Sequence, residues 1–404
     1  MNICRSCKAP LRITFCDLGK TPPSNSYLKS PVQKEFFFPL HAFVCEQCFL
    51  VQLAQFQSPD EIFSDYAYFS SYSTTWLEHA RKYAEMIIAR CKLNEESFVV
   101  EIASNDGYLL KNFQEKKIPL LGIEPAKNVA AVAIQKGIAT RSQFFGAPLA
   151  LELSREKKGD LIIANNVLAH VPDLNDFVKG LKILLSPKGT ITLEFPHLLQ
   201  LIEQRQFDTI YHEHFSYFSL ISAEEVFQRH GLAIVDVEEI ATHGGSLRVF
   251  LMHKEGKWKE GARVASLREA EMAAGLKSIE HYGTFSKKIE KIRGDLLAFL
   301  RGAKREGKKV AGYGAPAKGN TLLNFCQIRK ELIPFTVDRN PHKQGCFLPG
   351  SHIPIDSPEK IWEYRPDYLL ILPWNLKDEI KEQMRKIREW GGKFVVPIPQ
   401  IGVE

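Results

Sequence analysis

Tyr211, His212, Glu213 and His214 stand side by side in the sequence, with Tyr217 close behind. Removing a proton next to a carbonyl needs a base whose pKa lies near working pH, and histidine is the nearest side chain. The developing enolate oxygen needs hydrogen-bond donors, which tyrosine and neutral histidine can supply. In an extended segment Tyr211, Glu213 and Phe215 would face one way and His212, His214 and Ser216 the other. The pattern is not His-Glu-x-x-His, which sets aside a zinc protease. For any single histidine here, an ordinary packed or surface role is the competing reading. His170, just beyond Asn165-Asn166, lies where α/β sheets bind ligands and can join the cluster, whereas His197 is a weaker candidate.

A second chemistry is written in the cysteines. The chain has eight, at positions that include Cys4-Arg-Ser-Cys7 and Cys45-Glu-Gln-Cys48. Each C-x-x-C aims two thiolates at one point, and two such pairs supply the four soft ligands of a closed structural zinc site. The gap between the pairs is longer than usual for a zinc ribbon. A redox C-x-x-C is the alternative, but it normally opens a helix and does not come twice. Cys16 and the remaining cysteines read as packed residues.

A third pattern runs through Val99-Val-Glu101-Ile-Ala103-Ser-Asn105-Asp-Gly107, an apolar strand, an acid and a small-residue turn before a helix start. Such a turn brings a ligand to the free N–H groups of a helix N-terminus. A dinucleotide fold prefers G-x-G-x-x-G; the early acid suits the cationic amino and sulfonium groups of S-adenosylmethionine better. Glu124-Pro125 ends the next strand with a carboxylate suited to ribose hydroxyls, and Asn165-Asn166 end another. An NAD-type site and a site-free sheet remain the alternatives. For phosphate there are two candidates: His243-Gly-Gly-Ser246-Leu-Arg248, and Gly312–Asn320 with Lys318 and Asn320. Either could equally be a turn that only packs. Asp338, after the following strand, is a candidate for ribose or base.

The elements that must position these groups follow from periodicity. Trp76–Arg90 has helical spacing, and short apolar runs at 98–102, 120–123, 161–164 and 190–194 alternate with helical segments, the pattern of βαβ units. After a charged helical stretch from Lys257 to Lys308, a second series follows at 309–312, 332–337, 368–372 and 393–397. The expected fold is α/β in three parts: a zinc-binding module over 1–70, a Rossmann-like domain over 71–255 and a second Rossmann-like domain over 256–404. A chain of 404 residues, 45% hydrophobic and 25% charged, has the balance of a globular protein rather than a disordered one. No run approaches the ~18 apolar residues of a membrane span. The N-terminus lacks the apolar run of a signal peptide, so a cytoplasmic chain is expected. A net charge of +6 without a basic run interleaved with aromatics argues against a nucleic-acid binder and suits a phosphorylated substrate.

Taken together and in order, the two cysteine pairs, Tyr66-Ala-Tyr68-Phe-Ser-Ser, Glu101–Gly107, Tyr211–His214, His243–Arg248 and Gly312–Asn320 resemble the nucleotide-sugar C-methyltransferases, whose members form the tetronitrose, mycarose and novobiose branches. The resemblance spans essentially the whole chain. It implies a zinc-binding N-terminal domain, a central class I methyltransferase domain and a C-terminal Rossmann-like domain that helps hold the sugar nucleotide. It also implies methyl transfer from S-adenosylmethionine to C3 of a nucleoside-diphosphate-linked 4-keto-6-deoxyhexose, by a monomer or weak oligomer. By the same resemblance His214 matches the general base, Tyr211 and Glu213 its hydrogen-bonding neighbours, His170 an auxiliary residue, and Tyr66 or Tyr68 a tyrosine from the N-terminal side. O- or N-methylation of a sugar or small molecule is the competing activity, and a zinc-ribbon RNA methyltransferase or RNA-binding protein a more distant one.

Overall fold

The structure, a computed structural model, describes residues 2–58, 71 and 74–404. It is a mixed α/β protein. The chain packs as two compact units, residues 1–11, 45–197 and 215–277 in one and 12–44, 198–214 and 278–404 in the other.

Along the chain, β1 (Ile13–Thr21) and β2 (Phe38–Val44) form an antiparallel hairpin of the second unit. In the first unit β3 (Val51–Leu53) pairs with a short strand met below. Then come α1 (Thr74–Cys91), β4 (Val99–Ile102), β5 (Leu120–Ile123), β6 (Thr140–Arg141), β7 (Gly159–Asn165), α2 (Leu174–Leu184), β8 (Leu185–Pro196), β9 (Ser216–Tyr217), α3 (Leu220–Gln228), β10 (Leu232–Ile240), β11 (Ser246–His253) and α4 (Ala262–Ala273). β3 and β9 pair antiparallel. The main sheet has the order β10-β11-β8-β7-β4-β5-β6, with its five strands from β8 to β6 parallel and β11 antiparallel to both neighbours. The chain leaves β4 toward β5 on one side and returns as β7 on the other. This is the switch point at which open α/β sheets bind ligands outside the carboxyl ends of their strands.

Local sequence explains these elements. The β4 residues Val99–Ile102 are all buried, as expected of a parallel strand covered on both faces. Helix α1 buries Ala80, Tyr83, Ala84 and Ile87, the spacing of one helical face, against the sheet core. Helix α2 starts where the Asp173 side chain accepts the Asp176 N–H, a cap that satisfies one of the free helix-end donors.

In the second unit α5 (Phe285–Arg305) leads into β12 (Val310–Tyr313), α6 (Ala317–Phe325), β13 (Thr336–Val337), β14 (Ile355–Asp356), β15 (Tyr368–Ile371), β16 (Lys393–Val396) and β17 (Gly402–Val403). The sheet order is β14-β13-β12-β15-β16-β17, parallel except for the last pair, so this unit too is Rossmann-like. Among the described residues no helix is long and apolar enough to cross a membrane.

A row of charge crosses the antiparallel edge of the first unit's sheet. Glu238, Arg248 and Glu194 are direct neighbours on β10, β11 and β8. Arg248 Nε and Nη2 donate to Glu194 Oε1 at 2.8 and 2.6 Å, and Nη1 donates to Glu238 Oε2 at 2.9 Å. The guanidinium also lies 4.8 Å from the centroid of the Tyr83 ring. Breaking one side of such a buried pair leaves an uncompensated charge, which costs far more than the pair itself contributes. Arg248→Met is therefore expected to lower unfolding stability by about 3–5 kcal/mol, read as a fall in the urea midpoint. An unchanged midpoint would show that Glu194 does not depend on Arg248.

Candidate functional site

The cysteine knuckles are twins. In the first, Lys8 N–H donates to Cys4 O and Cys4 N–H to Ala9 O; in the second, Phe49 N–H donates to Cys45 O and Cys45 N–H to Leu50 O. Lys8 and Phe49 both take a left-handed conformation, at φ 66° and 55°, which closes each knuckle. All four Sγ atoms of Cys4, Cys7, Cys45 and Cys48 lie within 4.8 Å of one another, with Cys4–Cys48 at 3.5 Å and Cys7–Cys45 at 3.4 Å. A tetrahedral zinc with bonds near 2.3 Å separates its sulfurs by about 3.8 Å, so the donor set fits that ion and leaves no open position for catalysis. Gln52 Nε2 donates to Cys4 Sγ at 3.2 Å, the kind of outer contact that orients a ligand. The first knuckle also braces the loop beyond His170: Arg5 Nη1 donates to Pro172 O, and Asn175 Nδ2 donates to the carbonyls of Arg5 and Ser6. Cys16 is fully buried in β1 and takes no part.

The second constellation sits at the carboxyl ends of β4, β5 and β7. Glu101 is buried in β4, and its Oε2 has no hydrogen-bond partner among the described residues. Burial raises its carboxyl well above the usual range, reinforced by the neighbouring Glu124 and Asp106. A buried carboxyl of this kind, among other acids and with one oxygen unpartnered among the described residues, fits a cationic ligand group. The turn after it holds Ala103, Asn105 and Gly107 at φ 54°, 49° and 77°. Two non-glycine residues thus adopt the conformation that glycines take in a dinucleotide turn. A Cβ on Gly107 would meet Ile138 Cγ1 at 2.8 Å, so glycine is required there. Glu124 accepts the Asn105 N–H on Oε2 and the Ala126 N–H on Oε1, both at 2.9 Å, leaving each oxygen one further lone pair. Pro125 follows in the turn before the helix Lys127–Gln135. Asn165 ends β7 with a buried Oδ1 that has no partner among the described residues, and Asn166 follows at φ 56°. His170 is half-buried at the end of a short helical turn, Leu168–His170, just beyond. Asp106, paired with Lys136 at 2.8 Å, joins this group and was not singled out from sequence.

His243 and Ser246 lie in the same unit, before and at the start of β11. His243 is exposed and left-handed, with its ring edge-on to Trp76 at 5.5 Å, and Ser246 Oγ donates to Thr242 O. Arg248 is held inside the sheet by Glu194 and Glu238, which match its charge. Glu194 also receives His79 Nε2 at 3.1 Å. Burial raises the Glu194 carboxyl, but His79 and Arg248 outweigh it and hold it below the usual range.

The histidine cluster belongs to the second unit, and its backbone is a turn rather than the extended strand that alternation assumes. His214 N–H donates to Tyr211 O at 2.9 Å, which folds residues 211 and 214 onto one side. Their rings lie 4.0 Å apart, with Tyr211 Oη 2.9 Å from His214 Nε2. The other ring nitrogen, Nδ1, is 2.8 Å from the Thr209 carbonyl. A carbonyl can only accept, so Nδ1 carries the proton and Nε2 is the basic nitrogen. Glu213 is buried and receives Asn25 Nδ2 on Oε1 at 2.7 Å. Burial raises this carboxyl, with Asn25 opposing. His212 turns away toward Pro39 O and the Phe38 ring, and burial lowers it.

The segment before the turn is anchored by a buried acid that sequence reasoning passed over. Asp208 Oδ2 accepts Trp374 Nε1–H at 2.7 Å. Burial pushes the Asp208 carboxyl up to about 6, with attraction to Lys318 opposing. Lys318 lies 4.5 Å over the Trp374 ring and donates to Asn375 Oδ1. Asn320 is buried and donates to Ser24 O, so its amide fastens a loop. Asp338 closes the turn before α6, accepting the Ala315 N–H at 2.7 Å. Tyr66 and Tyr68 lie outside the described residues.

Family models match in three places: a zinc-binding domain over residues 4–63, a methyltransferase domain over 76–237 and a C-methyltransferase C-terminal domain over 241–399. The chain is 37% identical over 400 residues to the C-methyltransferase NovU of Streptomyces niveus, covering 98% of this chain and 95% of that protein. Similar solved structures include an S-adenosylmethionine-dependent methyltransferase from Clostridium acetobutylicum, 12% identical with TM-score 0.36, covering 44% of this chain and 92% of that one. Another is the PH0226 protein of Pyrococcus horikoshii, 14% identical with TM-score 0.38, covering 49% and 100%.

The cysteine geometry carries a direct test. Purified protein is expected to hold one zinc per chain by elemental analysis, and Cys45→Ser to lose it together with several degrees of thermal midpoint. Full zinc content in that variant would contradict the four-thiolate site.

Proposed function

The chain belongs to the family of the S-adenosylmethionine-dependent C-methyltransferases represented by NovU, and from that premise we propose that it methylates C3 of a nucleoside-diphosphate-linked 4-keto-6-deoxyhexose. The observation that carries the proposal is the fixed tautomer of His214, which places the basic lone pair on Nε2. Carbon is a poor nucleophile until a base removes its proton, whereas a sugar hydroxyl needs less help, so a histidine set up in this way suits carbon chemistry.

When bound, S-adenosylmethionine supplies an electrophilic methyl group on a sulfonium centre. Glu101 and Asn165 hold its cationic portion, and Glu124 its ribose hydroxyls. The turn Ala103–Gly107 lets the donor approach the backbone closely. In the substrate the C4 ketone acidifies the C3 proton, and His214 Nε2 takes that proton. Tyr211 Oη, which shares the Nε2 lone pair at rest, is the donor that moves to the enolate oxygen as His214 becomes charged. Glu213 accepts a sugar hydroxyl, and His170 assists at the donor side. Lys318 is the group proposed for the diphosphate. The zinc holds structure and takes no part in the reaction.

The proposal is tested by incubating the protein with keto-sugar nucleotides in heavy water without methyl donor. C3 is expected to gain one deuterium with wild-type protein, and His214→Asn to slow both exchange and methyl transfer by about 10²–10⁴-fold. Methyl transfer to oxygen or nitrogen with no exchange at C3, or full turnover by His214→Asn, would overturn it.

A further inference from the structure

Asn25 lies in the loop between β1 and β2, and its Nδ2 donates to Glu213 Oε1 at 2.7 Å. This contact is built from both sides. Asn320 Nδ2, on α6, donates to Ser24 O at 2.6 Å, and the Thr321 hydroxyl stands 3.4 Å from that of Ser24. The same Thr321 hydroxyl donates to Ile210 O at 3.1 Å. Beyond Asn25, Tyr27 Oη donates to Ala315 O at 2.6 Å. One helix start therefore holds both the loop that carries Asn25 and the segment that carries Glu213. Ser24, Asn320 and Thr321 are each at most 3% exposed, so water does not compete for these bonds.

We propose that Asn25 is a positioning residue whose amide fixes the direction of the Glu213 carboxylate and keeps it an acceptor for a substrate hydroxyl. The substrate-facing part rests on the function proposed above; the control of Glu213 does not. A buried carboxylate that loses a donor gives up its charge more readily, and a protonated Glu213 would offer a donor where the hydroxyl needs an acceptor. Burial raises Glu213 and the Asn25 amide lowers it, so removing the amide lets Glu213 take up its proton at higher pH. Among the described residues the titratable groups near Glu213 are Tyr27 from the same loop, whose buried phenol is also raised, and Tyr211, His212 and His214 on its own segment. Asn25 is a neutral donor bonded to Glu213 among the described residues, and it keeps that role across the working pH range.

The test uses full-length protein labelled with carbon-13 at the glutamate carboxyl, with the Glu213 signal identified by its loss in Glu213→Gln. In Asn25→Ala the Glu213 midpoint is expected to move up the pH scale by about 1, and in the isosteric Asn25→Asp by more, because a like charge replaces the donor. In turnover assays Asn25→Ala is expected to lower kcat about tenfold with KM for the methyl donor unchanged, but to change kcat less than about twofold when Glu213→Gln is already present. An unmoved Glu213 midpoint in both variants would overturn the proposal, as would the same tenfold loss in the Glu213→Gln background. If wild-type protein methylates no keto-sugar nucleotide, the function proposed above fails, and the carbon-13 titration still decides whether Asn25 controls Glu213.

Discussion

The hydrogen bond from His214 Nδ1 to the Thr209 carbonyl is the constraint around which the Asp208–His214 segment is organised. A histidine free to exchange tautomers would present Nε2 as a base only part of the time. A backbone carbonyl removes that freedom, because it accepts and cannot donate. It works only if Thr209 itself is held still. Asp208 is pinned by Trp374, Ile210 O is held by Thr321, and the turn closes through Tyr211 O and His214 N. Two distant residues, Trp374 and Thr321, and one local turn thus converge on seven consecutive positions, Asp208 to His214.

In the first unit burial and pairing set two buried acids apart. Glu194 and Glu101 are both buried at or near strand ends. Glu194 is matched by Arg248 and His79 and sits below its ordinary pKa, the signature of an internal ion pair. Glu101 has an oxygen without a partner among the described residues and sits well above it. An unmatched buried carboxyl costs stability, and a cation delivered by a ligand is the natural way to recover it. The cysteine knuckles act at the next level out. They fix Arg5 and Ser6 against the segment that follows His170, so the first knuckle also steadies that segment.

Much of this was legible in the sequence, and the exceptions share a cause. The strands emerged because largely buried parallel strands write themselves as short apolar runs, as in Val99–Ile102 and Tyr368–Ile371. The cysteine pairs emerged because two thiols at that spacing have few other uses. The left-handed Ala103 and Asn105 were hidden, since neither residue announces that conformation as glycine would. Tyr211 and His214 were placed on opposite faces by assuming an extended strand, and the turn brings them together. Thr209 was invisible because its carbonyl, common to every residue, does the work. Residues 12–44 and 198–214 pack with the C-terminal unit, a long-range choice that no local pattern encodes. Asn25 and Asp208 belong to the same class: each matters through a partner more than 150 positions away.

The state of the His214 ring can be observed directly. Long-range nitrogen-15 correlation spectra of full-length protein labelled at histidine, with the His214 signals assigned by His214→Asn, report which ring nitrogen holds the proton above the pH at which the ring becomes neutral. The structure requires the proton on Nδ1 and a bare, hydrogen-bonded Nε2. A ring protonated on Nε2 would contradict the proposal that His214 is the base for C3.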